Sequence, residues 1–151
     1  MLFRKKPVQF FTESENKAIV SAIKNAERQT SGEVRVFVES KCSFVDALDR
    51  ASEIFFSLKM DQTAHRNGVL VYVAIRDKQV AVFGDEGIYE KTGIAFWNNA
   101  VHYMIHRFSN DNIAEGIEQV VKEIGESLAH HFPYEKTTDR NELPDEIVFG
   151  K

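Results

Sequence analysis

The chain has 151 residues, a formal net charge of −4 and 43% apolar residues. That length supports one domain with a hydrophobic core, and the mixed composition excludes a globally disordered chain. The negative balance, with one short basic run at Arg4-Lys5-Lys6, excludes the clustered cationic face of a nucleic-acid binder.

One cysteine, Cys42, excludes an internal disulfide and fits a reducing compartment. A phosphatase thiolate would need an arginine six residues on, where Leu48 stands, so Cys42 reads as a small residue at a strand end. No run approaches 18 apolar residues, which argues against membrane insertion. The N-terminus lacks the apolar stretch of a secretory signal, so the expected location is cytoplasmic.

Residues 1–9 read as an N-terminal arm. Thr12 and Glu15 have capping-box spacing, and Ile19, Ala22, Ile23 and Ala26 recur at helical intervals, which predicts a helix from Thr12 to about Gln29. "TSG" stops it, and in "EVRVFVE" Val34, Val36 and Val38 alternate with Glu33, Arg35, Phe37 and Glu39 as a strand does. Ser43 and Asp46 offer a second capping box for a helix whose apolar stripe is Phe44, Ala47, Leu48, Ala51, Ile54, Phe55 and Leu58. "VLVYVAI", residues 69–75, is continuously apolar and suits a central strand covered on both faces. "RDKQ" then turns the chain back into "VAVFG" as a β-hairpin.

After Gly93 a third helix places Ile94, Trp97, Val101, Met104, Ile105 and Phe108 on one face, and "SNDN" ends it. Asn112 and Glu115 cap a fourth helix, which stops at Pro133. The tail is polar with one late apolar patch, Ile147-Val148-Phe149, and is either an arm packed on the domain or a mobile tail. Its carboxylates Asp139, Glu142, Asp145 and Glu146 read as a solvated arm, and the late patch could instead dock on a partner.

The order helix, strand, helix, strand, strand, helix, helix predicts an α/β fold: a single-domain helix–sheet–helix sandwich with a small mixed sheet, made of a parallel βαβ unit plus an antiparallel hairpin. The domain spans residues 10–132 and the polar C-terminal tail residues 133–151.

This topology gathers polar groups at one end of the sheet. Glu33 begins the first strand, Arg66 and Asn67 begin the second, and Asp85 and Glu86 come after the third, which runs back. Asp61 and Thr63 precede the second strand. Carboxylate and amide oxygens suit calcium or magnesium, and an arginine beside such a cation could clamp phosphate. No His or Cys belongs to the set, which disfavours zinc or copper. A structural reading stands beside this one: Asp85 caps the next short segment, and Arg66 pairs with Glu33 or Asp85. Parallel sheets also usually bind ligands at their carboxyl ends, whereas two of these three strands present their amino ends.

The segments "TSGEVRV", "MDQTAHRNGVLVYVA", "FGDEGI" and "FW" resemble the TPM domain family, over roughly residues 10–132. That family is named for a thylakoid-lumen acid phosphatase-like protein, a photosystem II repair protein and a modulator of acetylcholine receptors. Its signature here is T-x-x-R-N-G before a strand and G-D-x-G-I after the next. The resemblance implies a compact α/β fold, a calcium or magnesium site lined by acidic loop residues and, in some members, acid phosphatase activity. Carried onto this chain, it implies metal ligands among Asp85, Asn67, Asp61, Glu33 and Glu86, with Asp85 and Arg66 as catalytic candidates in a metal-assisted phosphomonoesterase. Many relatives are exported and membrane-anchored; this chain, with "NELPDEIVFG" near its end, resembles the short soluble bacterial branch.

The implied partner is a phosphorylated small molecule or protein. The alternative is a non-enzymatic protein-interaction module with a structural cation, whose C-terminal tail binds a protein partner. Other motifs are set aside. His102 and His106 have metal-ligand spacing but lack the Glu of H-E-x-x-H, and read as a polar helix edge. His130 and His131 end the fourth helix, where its dipole favours imidazolium. "GDEGIYEKTG" lacks the ending of a P-loop, and the R-H-G and D-x-D-x-T phosphatase signatures are absent.

Overall fold

The computed structural model describes residues 10–43, 46–134 and 144–150. The expected arm at 1–9, the central part of the tail with Asp139 and Glu142, and Phe44 of the second helical stripe lie outside the described residues. The elements are α1 (Glu13–Glu27), β1 (Glu33–Glu39), α2 (Ala47–Ser57), β2 (Gly68–Ala74), β3 (Gln79–Gly84), α3 (Glu86–Thr92), α4 (Ile94–His106), α5 (Ile113–His131) and β4 (Val148–Phe149). The strands form one mixed sheet in the order β3-β2-β1-β4. β1 runs parallel to β2 and to β4, and β2 runs antiparallel to β3.

Side-chain alternation divides this sheet between two cores. Val34, Val36 and Val38 of β1 and Val69, Val71 and Val73 of β2 face Ile19 and Ile23 of α1, Ile117, Val121 and Ile124 of α5, and Trp97 of α4. Phe37, Leu70, Tyr72 and Ala81 face the other way, onto Ala51, Ile54 and Phe55 of α2. Both central strands are therefore buried along their whole length, as the continuous apolar run at 69–75 requires. The helix–sheet–helix sandwich and the βαβ-plus-hairpin topology are those expected from the sequence.

Three local features differ from the expectation, and a fourth decides for the packed arm between the two alternatives held for the late apolar patch. The capping box assigned to Ser43 and Asp46 is a single cap, with Asp46 accepting from Leu48 N at 2.9 Å. The glycine-flanked segment after β3 forms the short helix α3. Ile94 lies outside the buried stripe of α4, at 64% exposed. The late patch Ile147–Phe149 is not solvent-borne: Val148 and Phe149 pair with Phe37 and Val38, Gly150 N donates to Val38 O at 2.7 Å, and Ile147 packs on the main core. Among the described residues, no helix is long and apolar enough to cross a membrane.

Candidate functional site

The register that pairs Glu33 with Gly68 and Val69 with Gly84 puts the start of β1, the start of β2 and the end of β3 on one rim. The loop into β2 is built by Thr63, which is buried. Its carbonyl accepts from Arg66 N at 3.3 Å, and its hydroxyl accepts from Asn67 N at 3.2 Å. This turn holds Arg66 in the left-handed region, at φ +49°. Its carbonyl accepts from Gly87 N at 2.9 Å. A Cβ on Gly87 would lie 2.2 Å from the His65 carbonyl oxygen, so the loop can sit on α3 only against glycine. The family-type signature residues Thr63, Arg66, Gly68 and Gly87 thus lock the entry of β2 to the exit of β3.

The Arg66 guanidinium is aimed at the other half of that signature. Its Nε donates to Asp85 Oδ2 at 2.8 Å, Nη2 to Asp85 Oδ1 at 2.9 Å, and Nη1 to Glu86 Oε1 at 3.0 Å. Asp85 Oδ1 also accepts from Glu86 N at 2.8 Å and caps α3. Asp85 is 2% exposed and the Arg66 side chain 36% exposed. The hydrogen bonds to Asp85 raise the arginine above its ordinary value, against desolvation, and the charges of Asp85, Glu86 and Asp61 add to the rise. Two carboxylates therefore bond one guanidinium, and the charge of a third, Asp61, acts on it.

Asn67 and Glu33 share the rim but contact different groups. Asn67 is fully buried; its Nδ2 donates to Ser31 Oγ at 3.4 Å, and its Oδ1 has no hydrogen-bond partner. Alternation continued from Val69 places it toward the α1/α5 layer, whereas Asp85, continued from Phe83, lies toward α2. Glu33 donates its backbone N–H to Asn67 O at 3.4 Å. Its carboxyl lies beside that of Glu27, at the end of α1. A cavity of about 300 Å³ lies beside the rim, lined by Ser31, His65, Gly87, Glu90, Lys91 and His131, among others.

Sequence reasoning missed two polar clusters. At the opposite end of the sheet, Glu39 accepts from Arg50 Nε and Nη2, both at 2.9 Å, and from the Tyr72 hydroxyl. Burial pushes the Glu39 carboxyl up, but the bonds from Arg50 and Tyr72 outweigh it and hold the group below its ordinary value. At the outer edge of β1, Glu27 meets Glu33 and Asp145, so Asp145 is not the solvated residue expected. The signal for both was faint: a Glu on each of α1 and β1, and an Asp four residues before the last aromatic.

Among the described residues, no group of three or more His, Cys, Asp or Glu side chains is arranged to hold a metal ion. The oxygen donors at the rim have the hard chemistry that calcium and magnesium require. Both Asp85 oxygens are engaged by Arg66, so a cation could be held there only where the guanidinium now sits. His102 and His106 lie exposed on α4 with ring centroids 6.4 Å apart.

A helix–sheet–helix domain whose T-x-x-R-N-G loop is riveted to a G-D-x-G-I helix start defines a class, and that class matches a known family. The TPM domain matches residues 5–127, and the chain belongs to that family. It is similar to the BA42 protein of the psychrophilic bacterium Bizionia argentinensis, known from an NMR structure, with 41% identity and a TM-score of 0.84 over 96% of this chain and 99% of that one. The N-terminal domain of the cg2496 protein of Corynebacterium glutamicum shares the fold at 15% identity, with a TM-score of 0.57 over 85% of this chain and 87% of that one. Among curated proteins, none matches.

Proposed function

We propose that this TPM domain takes up calcium or magnesium at the rim, and that Arg66 holds the place of the cation in its absence. The observation that carries the reading is the crowd of carboxylates: Asp85, Glu86 and Asp61 all act on Arg66, leaving a surplus of negative charge in a partly exposed loop. Asp85, Glu86 and Asp61 would hold the ion through carboxylate oxygens, while Asn67, on the other face of the sheet, takes no part. A bound divalent cation would polarise a phosphoryl oxygen or acidify a water. Arg66, freed from Asp85, would then offer its planar donor pair to a phosphate in the bidentate manner it now uses on the carboxylate. The substrate class is a phosphomonoester.

The test is an NMR titration with calcium or magnesium on the wild type and on Asp85→Asn, then a p-nitrophenyl phosphate assay with the same ions. Shifts confined to residues 61–68 and 84–88, lost in the variant, are the expected result. Binding without turnover would make the domain a cation-binding module rather than a phosphatase. Shifts elsewhere, or binding unchanged in Asp85→Asn, would remove the rim as the site. The protein-interaction alternative loses its main anchor, because the apolar end of the tail is already seated on β1.

A further inference from the structure

We propose that His102 and His106 of α4 form half of a zinc site, and that a second copy of this chain supplies the other half, so that the metal joins two molecules through the outward ridge of α4. The inference is independent of the rim reading and uses none of Arg66, Asp85 or Glu86.

A surface helix ordinarily turns charged groups to solvent, yet α4 holds no Asp, Glu, Lys or Arg from Ile94 to His106. Its buried residues are Trp97 and Met104. With about 3.6 residues per turn, the side opposite them carries Ala95, Asn99, His102 and His106, all exposed. These four are spaced four, three and four residues apart, the interval at which two helices meet along a seam. The small Ala95 and the uncharged Asn99 admit a second helix, and two copies of the ridge meet with no like charges opposed. Arg107, the first charged residue beyond it, is paired with Glu123 of α5 at 2.7 Å. Phe96 and Tyr103, 46% and 60% exposed, border the ridge on one side, so its pairing would cover apolar surface that a single chain leaves in water.

The two imidazoles already stand as a pair. One helical turn apart, their rings stack with centroids 6.4 Å apart and planes 14° from parallel. The His102 ring also meets the Tyr103 ring edge-on, with centroids 6.0 Å apart. Among the described residues neither imidazole has a hydrogen-bond or ion-pair partner, so their nitrogen lone pairs are open to a ligand. Zinc–nitrogen bonds of about 2.0–2.1 Å at a tetrahedral angle bring two ring centres to about 5 Å, a closure that side-chain rotation supplies on an exposed helix face. Imidazole suits zinc, and a structural zinc takes four ligands. Among the described residues no third His, Cys, Asp or Glu joins the pair. One chain therefore supplies two of the four, and a second chain with the same pair supplies the rest across a two-fold axis. The missing Glu of H-E-x-x-H takes away a general base and neither ligand. Calcium and magnesium, which require oxygen donors, do not compete for these nitrogens.

The experiment measures the molar mass of the full chain by light scattering on a sizing column at about pH 7.5, above the ordinary imidazole range, with EDTA or with zinc chloride at half an equivalent. The expected result is a monomer in EDTA whose mass doubles with zinc, at one ion per two chains, with amide shifts confined to α4 and its neighbours. His102→Gln and His106→Gln, both at exposed positions, should each abolish the doubling while the circular dichroism of the fold stays unchanged. His130→Gln, on the exposed end of α5, should leave it intact. A monomer that binds one zinc ion per chain, or a mass that zinc does not change, would overturn the shared site. A dimer that persists in EDTA, or a doubling that survives the loss of His102 or His106, would overturn the assignment of the bridge to this pair.

Discussion

Arg66 is the residue on which the rim turns, because one guanidinium joins the loop before β2 to the helix after β3. The buried member of that pair is Asp85, which also caps α3. Asp85→Ala removes the cap and leaves the guanidinium facing no carboxylate at that position; a loss of roughly 1–3 kcal/mol in urea unfolding is expected. Asp85→Asn keeps a capping oxygen and should cost less, so equal losses in the two variants would mean that the cap contributes nothing. Gly87→Ala tests the approach of the loop itself. The added Cβ meets backbone oxygens of His65 and Arg66 at 2.2 and 2.6 Å, which no rotamer change can relieve. The loop must move, at a cost of roughly 1–3 kcal/mol, with amide shifts at residues 63–67. Both halves of this arrangement were visible in the sequence as T-x-x-R-N-G and G-D-x-G-I, including the reading in which Asp85 acts as a cap and Arg66 pairs with it. The division of the rim, with Asn67 tied to Ser31 and Glu33 set beside Glu27, was not. Which of several neighbouring oxygens a side chain chooses depends on distances of an ångström, and spacing along a chain does not carry them.

Elements were legible in proportion to their length and to how local their stabilisation is. The long helices α1, α4 and α5 announce themselves through repeated apolar spacing, α1 and α5 also through side-chain caps, and β1 and β2 through alternation and a β-branched run. α3 has seven residues and one buried apolar side chain, Ile88, too few for a period to emerge. β4 has two residues whose partner strand lies more than a hundred positions earlier, so nothing nearby in the chain marks it. The tie between α2 and the sheet was missed for a different reason: Glu39, Arg50 and Tyr72 each look ordinary on their own elements, and only parallel pairing and the crossover helix bring them together. Tyr72→Phe isolates that tie, since it deletes one oxygen and opens no cavity. It should cost about 1 kcal/mol in urea unfolding and raise the Glu39 carboxyl, which loses a donor that favours its charged form. An unaltered Glu39 titration by carboxyl NMR would show that Arg50 alone sets its charge.

For the whole molecule, the two buried carboxyl clusters make opposite demands on pH, and their balance shapes the stability curve. Glu39 lies below its ordinary value of 4.5 in the fold. Its contribution is present above that value and is lost as pH falls through its lower folded value. Glu27 lies far above the same ordinary value. Its contribution is full below 4.5 and drains away as pH rises toward its folded value, because the unfolded chain releases a proton that the fold retains. From these two groups the protein should be most stable in mildly acidic solution, with an acid limb set by Glu39 and a longer decline toward alkaline pH set by Glu27. Urea midpoints measured from about pH 3 to about pH 9 check both limbs. Glu39→Gln should lose stability mainly at neutral pH and converge on the wild type in acid. Glu27→Gln should gain on the wild type steadily as pH rises, because its amide fills the same place without a proton to lose. A wild-type curve that climbs from mildly acidic to alkaline pH, with Glu27→Gln running parallel to it, would mean that Glu27 is ionised in the fold and that another group or an ion meets its charge.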